Sequence, residues 1–332
     1  MHLPPHITAH GNWLSWAEVM ELALYDEALG YYSAHVQDIG MRGDFSTTAT
    51  MSDLLARRLV AHWREACTAF GQRLPFIEIG GGNANLALGI ARSLSFWERM
   101  RMRYYMVDRS PALRNLQALA AGSHVRVYPT IEAALRRAGG RAFIFCNELP
   151  DAFPARQFRY SGGAWQELGL SVQGGSIAEV ARPCPTLPES SAFTHWAKEG
   201  QVIEVHESYH HWYAAWQPHW KCGVFITIDY GAPVQELYYR RPAGTLRGYK
   251  SHILLSKEDI LPLAGHCDIT ADVNFTDLQT LAERNIGDIV QLSHQREYLL
   301  PFVDSSNPAD LHLTAVPGAG DHFCVLTQLR FE

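Results

Sequence analysis

Phe76-Ile77-Glu78-Ile79-Gly80-Gly81-Gly82-Asn83-Ala84-Asn85-Leu86 reads as a buried strand that breaks into a glycine turn and opens a helix. Glycine adopts positive φ without strain and lets a ligand approach the main chain closely. A dinucleotide fingerprint would need glycine at position 85, where this chain has asparagine. The pattern is instead acid-x-Gly-x-Gly-x-small, with the carboxylate of Glu78 just ahead of the turn. A carboxylate there would repel a pyrophosphate and suits a cationic ligand.

Working outward, short continuous apolar runs recur at Phe76–Ile79, Tyr104–Val107, Val125–Tyr128, Ala142–Cys146 and Val224–Asp229. Continuous rather than alternating runs fit strands buried on both faces of a parallel sheet. Helical stretches lie between them, around Asn85–Arg92, Pro111–Ala121 and Ile131–Arg137. Strands alternating with helices indicate βαβ units and a doubly wound fold. Asp108 ends the second run, where an acid binds a ribose diol in nucleotide-type sheets. It also stands before Ser110-Pro111, so a helix cap is the competing reading. Glu78, the glycine turn and Asp108 together point to S-adenosyl-L-methionine, whose sulfonium and amine are cationic and whose ribose carries the diol. The predicted fold is α/β, a doubly wound Rossmann-like class I methyltransferase sheet with a helical N-terminal region and an inserted substrate or lid region.

Three stretches organise the chain. Residues 1–75 read as mainly helical and contribute to the cofactor pocket. Residues 76–230 form the core, with alternation and turn residues at 157–180 marking a small antiparallel insert. Residues 231–332 begin with an irregular stretch holding Pro233, Pro242 and Pro262, read as a lid, and then return to the sheet.

Composition narrows the function. Of 332 residues 47% are hydrophobic and 19% charged, enough for an ordinary core. The net charge of −6 argues against a nucleic-acid footprint, which needs a basic face. No apolar stretch is long enough to span a bilayer, and the first ten residues do not form a signal peptide, so no membrane partner is expected. Six scattered cysteines without a CxxC pair read as reduced thiols of a cytoplasmic enzyme. The partner is a protein or small-molecule methyl acceptor, and a homodimer is left open.

The fourth run leads directly into Asn147-Glu148-Leu149-Pro150-Asp151. The carboxyl ends of such strands open onto the ligand crevice. Asn147, Glu148 and Asp151 are therefore the candidate catalytic residues, with Glu148 foremost because a carboxylate pairs bidentately with a guanidinium. The competing reading has Asn147 and Asp151 bonding only to the turn backbone. Asp229-Tyr230-Gly231 is a weaker candidate for the same crevice, and Arg247 and Tyr249 are candidates for closing over it. A rival enzyme class sits at His206-Glu207-Ser208-Tyr209-His210, a literal HExxH that would bind zinc if both histidines shared a helix face. The aromatic surroundings Trp212, Tyr213, Trp216 and Trp220 and the lack of a third ligand at metzincin spacing argue against it, so no metal is expected.

Several ordered blocks resemble one family. They are Leu24-Tyr25-Asp26 with Gly30-Tyr31-Tyr32-Ser33, Gly43-Asp44-Phe45-Ser46-Thr47, the Glu78–Gly82 turn, Val107-Asp108-Arg109-Ser110-Pro111 and Asn147–Ala152. Ile228-Asp229-Tyr230-Gly231, Gly244–Tyr249 and Asp268–Phe275 continue the series. The chain thus resembles the MidA-like methyltransferases, which include the mitochondrial arginine methyltransferase of complex I assembly. The resemblance implies a class I fold, an adenosylmethionine site at Gly43, Asp44, Glu78, Gly80, Gly82 and Asp108, and an arginine of a protein as acceptor. Thr48-Ala49-Thr50, Asn83 and Ala84 depart from the family pattern. A small-molecule or peptide acceptor is the first alternative, and a non-catalytic assembly factor that keeps the fold is the second.

Overall fold

The computed structural model describes residues 7, 13–35, 52–122, 125–173, 176–286, 289–316 and 318–332. In chain order, β1 (Trp13–Ser15) precedes β2 (Phe76–Ile79), β3 (Tyr104–Val107), β4 (Val125–Tyr128) and β5 (Arg141–Asn147). An insert follows, made of β6 (Arg156–Ser161), β7 (Ala164–Gln173), β8 (Ser176–Pro183) and β9 (Val202–Val205). Then come β10 (Cys222–Ala232), β11 (Arg247–Lys250), β12 (Ile253–Leu255), β13 (Asp268–Thr270), β14 (Val273–Asn274), β15 (Ile289–His294) and β16 (Phe323–Arg330).

The main sheet runs β15-β16-β10-β5-β2-β3-β4, with β14 beside β10. β4, β3, β2, β5 and β10 are parallel, and β16 is antiparallel to both of its neighbours. From β2 the chain winds outward through β3 and β4, then returns to the other side with β5 and β10. The switch point lies between β2 and β5, where a doubly wound sheet opens its ligand crevice.

The bounds of β2, β3 and β4 match the apolar runs, and β5 and β10 extend beyond theirs. Alternation along β5 shows why the run is continuous. Phe143 and Phe145 join the core beneath helix Leu54–Ala69, while Ala142, Ile144 and Cys146 join the core on the opposite face. Both faces are covered, so every position is apolar. Helix Pro111–Ala121 begins with Pro111 in the first turn, and the Ser110 hydroxyl accepts from Leu113 N at 3.2 Å.

The structure adds to one expectation and amends two. The mainly helical N-terminal region also holds β1, which pairs antiparallel with β7 and anchors helix Trp16–Tyr25 to the insert. The insert reaches past 157–180 and recruits β1 and β9 into a five-stranded sheet. The stretch from 231 is not irregular: it holds helix Val234–Arg240 and the three-stranded sheet β12-β11-β13. Its β11–β12 turn places Ser251 and His252 at φ of 49° and 64°, which no glycine or asparagine announces. Among the described residues no helix is long and apolar enough to cross a membrane.

Candidate cofactor and acceptor site

A cleft of about 1140 Å³ opens over the carboxyl ends of β2, β3 and β5. Its floor is the glycine turn. Gly80 and Gly82 sit at φ of 68° and 52°, conformations that favour glycine. Gly81 matters for a different reason: a Cβ there would collide with the Met106 side chain and come within 2.8 Å of Glu78 Cδ. A Cβ at Gly80 would meet Leu149 Cδ1 at 2.7 Å, so that position is pressed against the β5 turn and not only against ligand space. Ala84 takes the left-handed conformation with φ 69°, at the position where the MidA-like pattern has glycine.

Glu78 lines the cleft yet is nearly fully buried, and Oε2 accepts from the Tyr104 hydroxyl at 2.6 Å. Burial pushes its carboxyl up to about 8; the Tyr104 bond opposes that shift and nearby Asp108 adds to it. Asp108 is buried as well and pushed up to about 6 by desolvation. Its Oδ1 accepts from Ser110 N at 2.9 Å and its Oδ2 from Gln117 Nε2 at 2.9 Å. The same Gln117 amide donates to the Gly82 carbonyl at 3.1 Å, tying the glycine turn to the acid of the next strand. Two desolvated carboxyls beside one cleft suit a ligand that supplies positive charge and hydroxyl donors.

The third element is the turn after β5. Glu148 has φ 54°, strained for a residue with a side chain, and strain of this kind collects at functional sites. Glu148 N donates to the Ile228 carbonyl at 2.8 Å, and Asn147 Nδ2 donates to Glu148 Oε1 at 3.0 Å. Both side chains belong to cleft-lining residues. Asp229 fixes the turn from below: its Oδ2 accepts from Leu149 N at 3.1 Å and Asp151 N at 3.0 Å, its Oδ1 from Tyr230 N at 2.7 Å. Asp229 is fully buried, so it supports the crevice rather than lining it. Asp151 also stands apart from the cleft lining. Its Oδ2 accepts from Thr270 Oγ1 at 2.7 Å, next to Arg247, which is paired with Asp272 at 2.5 Å. The turn therefore brings Asn147 and Glu148 to the cleft and leaves Asp151 and Arg247 in the support behind it.

The residues of the opposite wall were not singled out as site residues in the sequence, although Tyr25, Tyr32 and Arg109 lie in blocks that carry the family resemblance. Tyr25 and Tyr32 stack at 5.6 Å and line the cleft; the Tyr25 hydroxyl donates to the Ala152 carbonyl at 2.9 Å and that of Tyr32 to Asp268 Oδ1 at 2.7 Å. Arg109 lies over Tyr25 and pairs with Glu21 at 2.7 Å. It is the one Lys or Arg among the described lining residues, against Glu21, Glu27, Glu78, Asp108, Glu132 and Glu148. Phe153 and Trp212 add an apolar flank. One signal was available for Gln117: four residues after Leu113, it is a polar residue on the apolar face of its helix.

The HExxH segment is arranged differently from a zinc helix. His206 is the N-cap residue before helix Glu207–Trp216, its ring is buried and pushed down to about 4 by desolvation, and Glu207 pairs with Arg156 at 3.2 Å. Among the described residues no three His, Cys, Asp or Glu side chains gather as a metal site. Gly43, Asp44 and Thr48-Ala49-Thr50 lie outside the described residues. The side chains in place fit adenosylmethionine: a turn with no room for a Cβ at Gly81, a buried acid at Glu78 for its cationic end, and Asp108 at the ribose position.

The signature of a family of S-adenosyl-L-methionine-dependent methyltransferases matches residues 54–291. Protein arginine methyltransferase NDUFAF7, mitochondrial, of Danio rerio is 26% identical over 88% of this chain and 74% of its own length. The Rattus norvegicus protein of the same name is 24% identical over 90% and 72%. A solved protein from Burkholderia thailandensis, bound to S-adenosyl-homocysteine, superposes with a TM-score of 0.82 at 26% identity. It covers 98% of this chain and 89% of that one.

Proposed function

The chain belongs to this family of S-adenosyl-L-methionine-dependent methyltransferases, and on that premise we propose that its acceptor is a cationic nitrogen, an arginine of a protein, gripped by Glu148. Glu78, Asp108 and the Gly80–Gly82 turn hold the cofactor, with Gly43 and Asp44 assigned to the same site by resemblance. When bound, the cofactor supplies an electrophilic methyl group. The chain's own task is to present the nucleophile in line with it, and orientation of this kind lowers a barrier by several kcal/mol.

The observation that carries the reading is Glu148 itself, a carboxylate held at strained φ on the rim of an acidic cleft. Among the described lining residues the one Lys or Arg, Arg109, is engaged by Glu21, so this part of the cleft favours a positively charged guest. A guanidinium offers the bidentate geometry that a carboxylate accepts. Asn147 steadies Glu148, and Asp151, placed behind the turn, serves as support. Six free cysteines suit a reducing compartment, and we read the enzyme as cytoplasmic, whereas the relatives named above carry mitochondrial names.

The test is to incubate the pure protein with methyl-labelled adenosylmethionine and a lysate, then separate products by size. Label in a protein, on arginine after digestion, is the expected result. Label confined to small molecules would replace this acceptor with a metabolite.

A further inference from the structure

At the edge of the main sheet opposite the cleft, four loops each bring a cation to one concavity. Arg73, Arg103, Arg141 and Lys221, with Gln72 and Glu332, line a pocket of about 300 Å³. The topology dictates the convergence. β3, β2, β5 and β10 are parallel neighbours, so the residues that enter them share one edge, with adjacent strands about 4.8 Å apart. Arg103 and Lys221 immediately precede β3 and β10, Arg141 opens β5, and Arg73 lies just ahead of β2.

Four like charges around one small pocket repel each other, in a chain whose net charge is −6. One carboxylate already answers them. Arg141 takes Glu332 in a forked grip, Nε to Oε1 at 2.9 Å, Nη2 to Oε1 at 2.5 Å and Nη2 to Oε2 at 2.6 Å. The Arg73 guanidinium lies 5.7 Å from the Trp63 ring, and among the described residues Arg103 and Lys221 have no ion pair. The pocket shows an oxyanion geometry with positive charge left over.

We propose that this pocket binds a soluble phosphate-bearing ligand, a phosphate monoester or pyrophosphate, which displaces the Glu332 carboxylate from Arg141. Guanidinium forks match phosphate oxygens, and a lysine adds a compact charge. The pocket is at the small end of ligand sites and has no large apolar side chain in its lining, which selects a compact polar anion. β2, β3 and β5 separate it from Glu78, Asp108 and Glu148, so it is a second site and not part of methyl transfer.

Calorimetry with pyrophosphate on the whole chain, at fixed low ionic strength, decides the matter. Wild type should bind at one site per chain. Glu332→Gln should bind more tightly, because the competing carboxylate is gone. Arg103→Gln with Lys221→Gln, both exposed and checked for fold by circular dichroism, should weaken binding by about tenfold or more. Adenosylhomocysteine affinity should be the same in all three proteins. No saturable binding by wild type, an unweakened double variant, or weaker binding by Glu332→Gln would each overturn the assignment. Vesicles containing phosphatidic acid should not bind; binding to them without binding to pyrophosphate would overturn the assignment to a soluble ligand.

Discussion

Glu78→Gln separates the stability of the empty fold from its fitness for a cationic ligand. The Glu78 carboxyl ordinarily titrates near 4.5 and is pushed up to about 8 by burial. Between those values the folded chain keeps a proton that the unfolded chain has lost. Stability therefore falls as pH rises through that window, and the loss levels off above about 8. At pH 7 the two and a half units between the unfolded pKa and the solution correspond to at most roughly 3 kcal/mol. Glutamine keeps the size, still accepts from the Tyr104 hydroxyl and does not titrate. Urea denaturation of both ligand-free proteins from about pH 5 to 8 should show the variant gaining on wild type, from near equality to about 2–3 kcal/mol more stable. The same substitution should weaken adenosylmethionine binding, because the buried negative charge is lost. A stability gap that is the same at both ends of the pH range would refute the reasoning, since Glu78 would then ionise at its ordinary pH.

Three further substitutions probe the surrounding geometry. Gly81→Ala places a methyl group against Glu78 and Met106, and calorimetry with adenosylhomocysteine should show binding lost while the fold survives; wild-type affinity would contradict the close approach. Gln117→Leu strips a donor from both Asp108 and the Gly82 carbonyl, costing about 1–3 kcal/mol in denaturation and weakening adenosylhomocysteine; unchanged affinity would detach Asp108 from the cofactor. Asp229→Asn leaves one oxygen to serve three backbone donors, so kcat should fall while cofactor affinity holds, and a matching loss of cofactor would make Asp229 part of the adenosine pocket.

The centre of the sheet was legible because β2, β3 and β5 are buried on both faces and therefore read as largely apolar runs, whereas β4, Val-Arg-Val-Tyr at the sheet edge, is only partly buried. The glycine turn and Asp108 were legible because backbone freedom and an end-of-strand acid leave local marks. The three-residue β1 left none, since its partner β7 lies over 150 residues away and so short a strand shows no period. The cleft's aromatic wall was hidden for the same reason: Arg109 meets Glu21 and Tyr25 only through the tertiary fold. Asn147, Glu148 and Asp151 share one turn, and its chemistry suits a ligand contact or a backbone bond equally well. Only the φ of 54° at Glu148, with Asp229 beneath it, sends Glu148 to the cleft and Asp151 behind it.

The central claim is tested most directly by Glu148→Gln, with methyl transfer and adenosylhomocysteine affinity measured on the same preparation. The amide keeps the size of the side chain but loses a charge-assisted pair of about 1.5–3 kcal/mol, which corresponds to roughly ten- to a hundredfold in rate. Transfer should fall by that factor or more while cofactor affinity stays at the wild-type value. Full activity in the variant would contradict it by showing that the acceptor is not held by a charge at Glu148, and loss of cofactor binding would contradict it by moving Glu148 into the adenosine pocket.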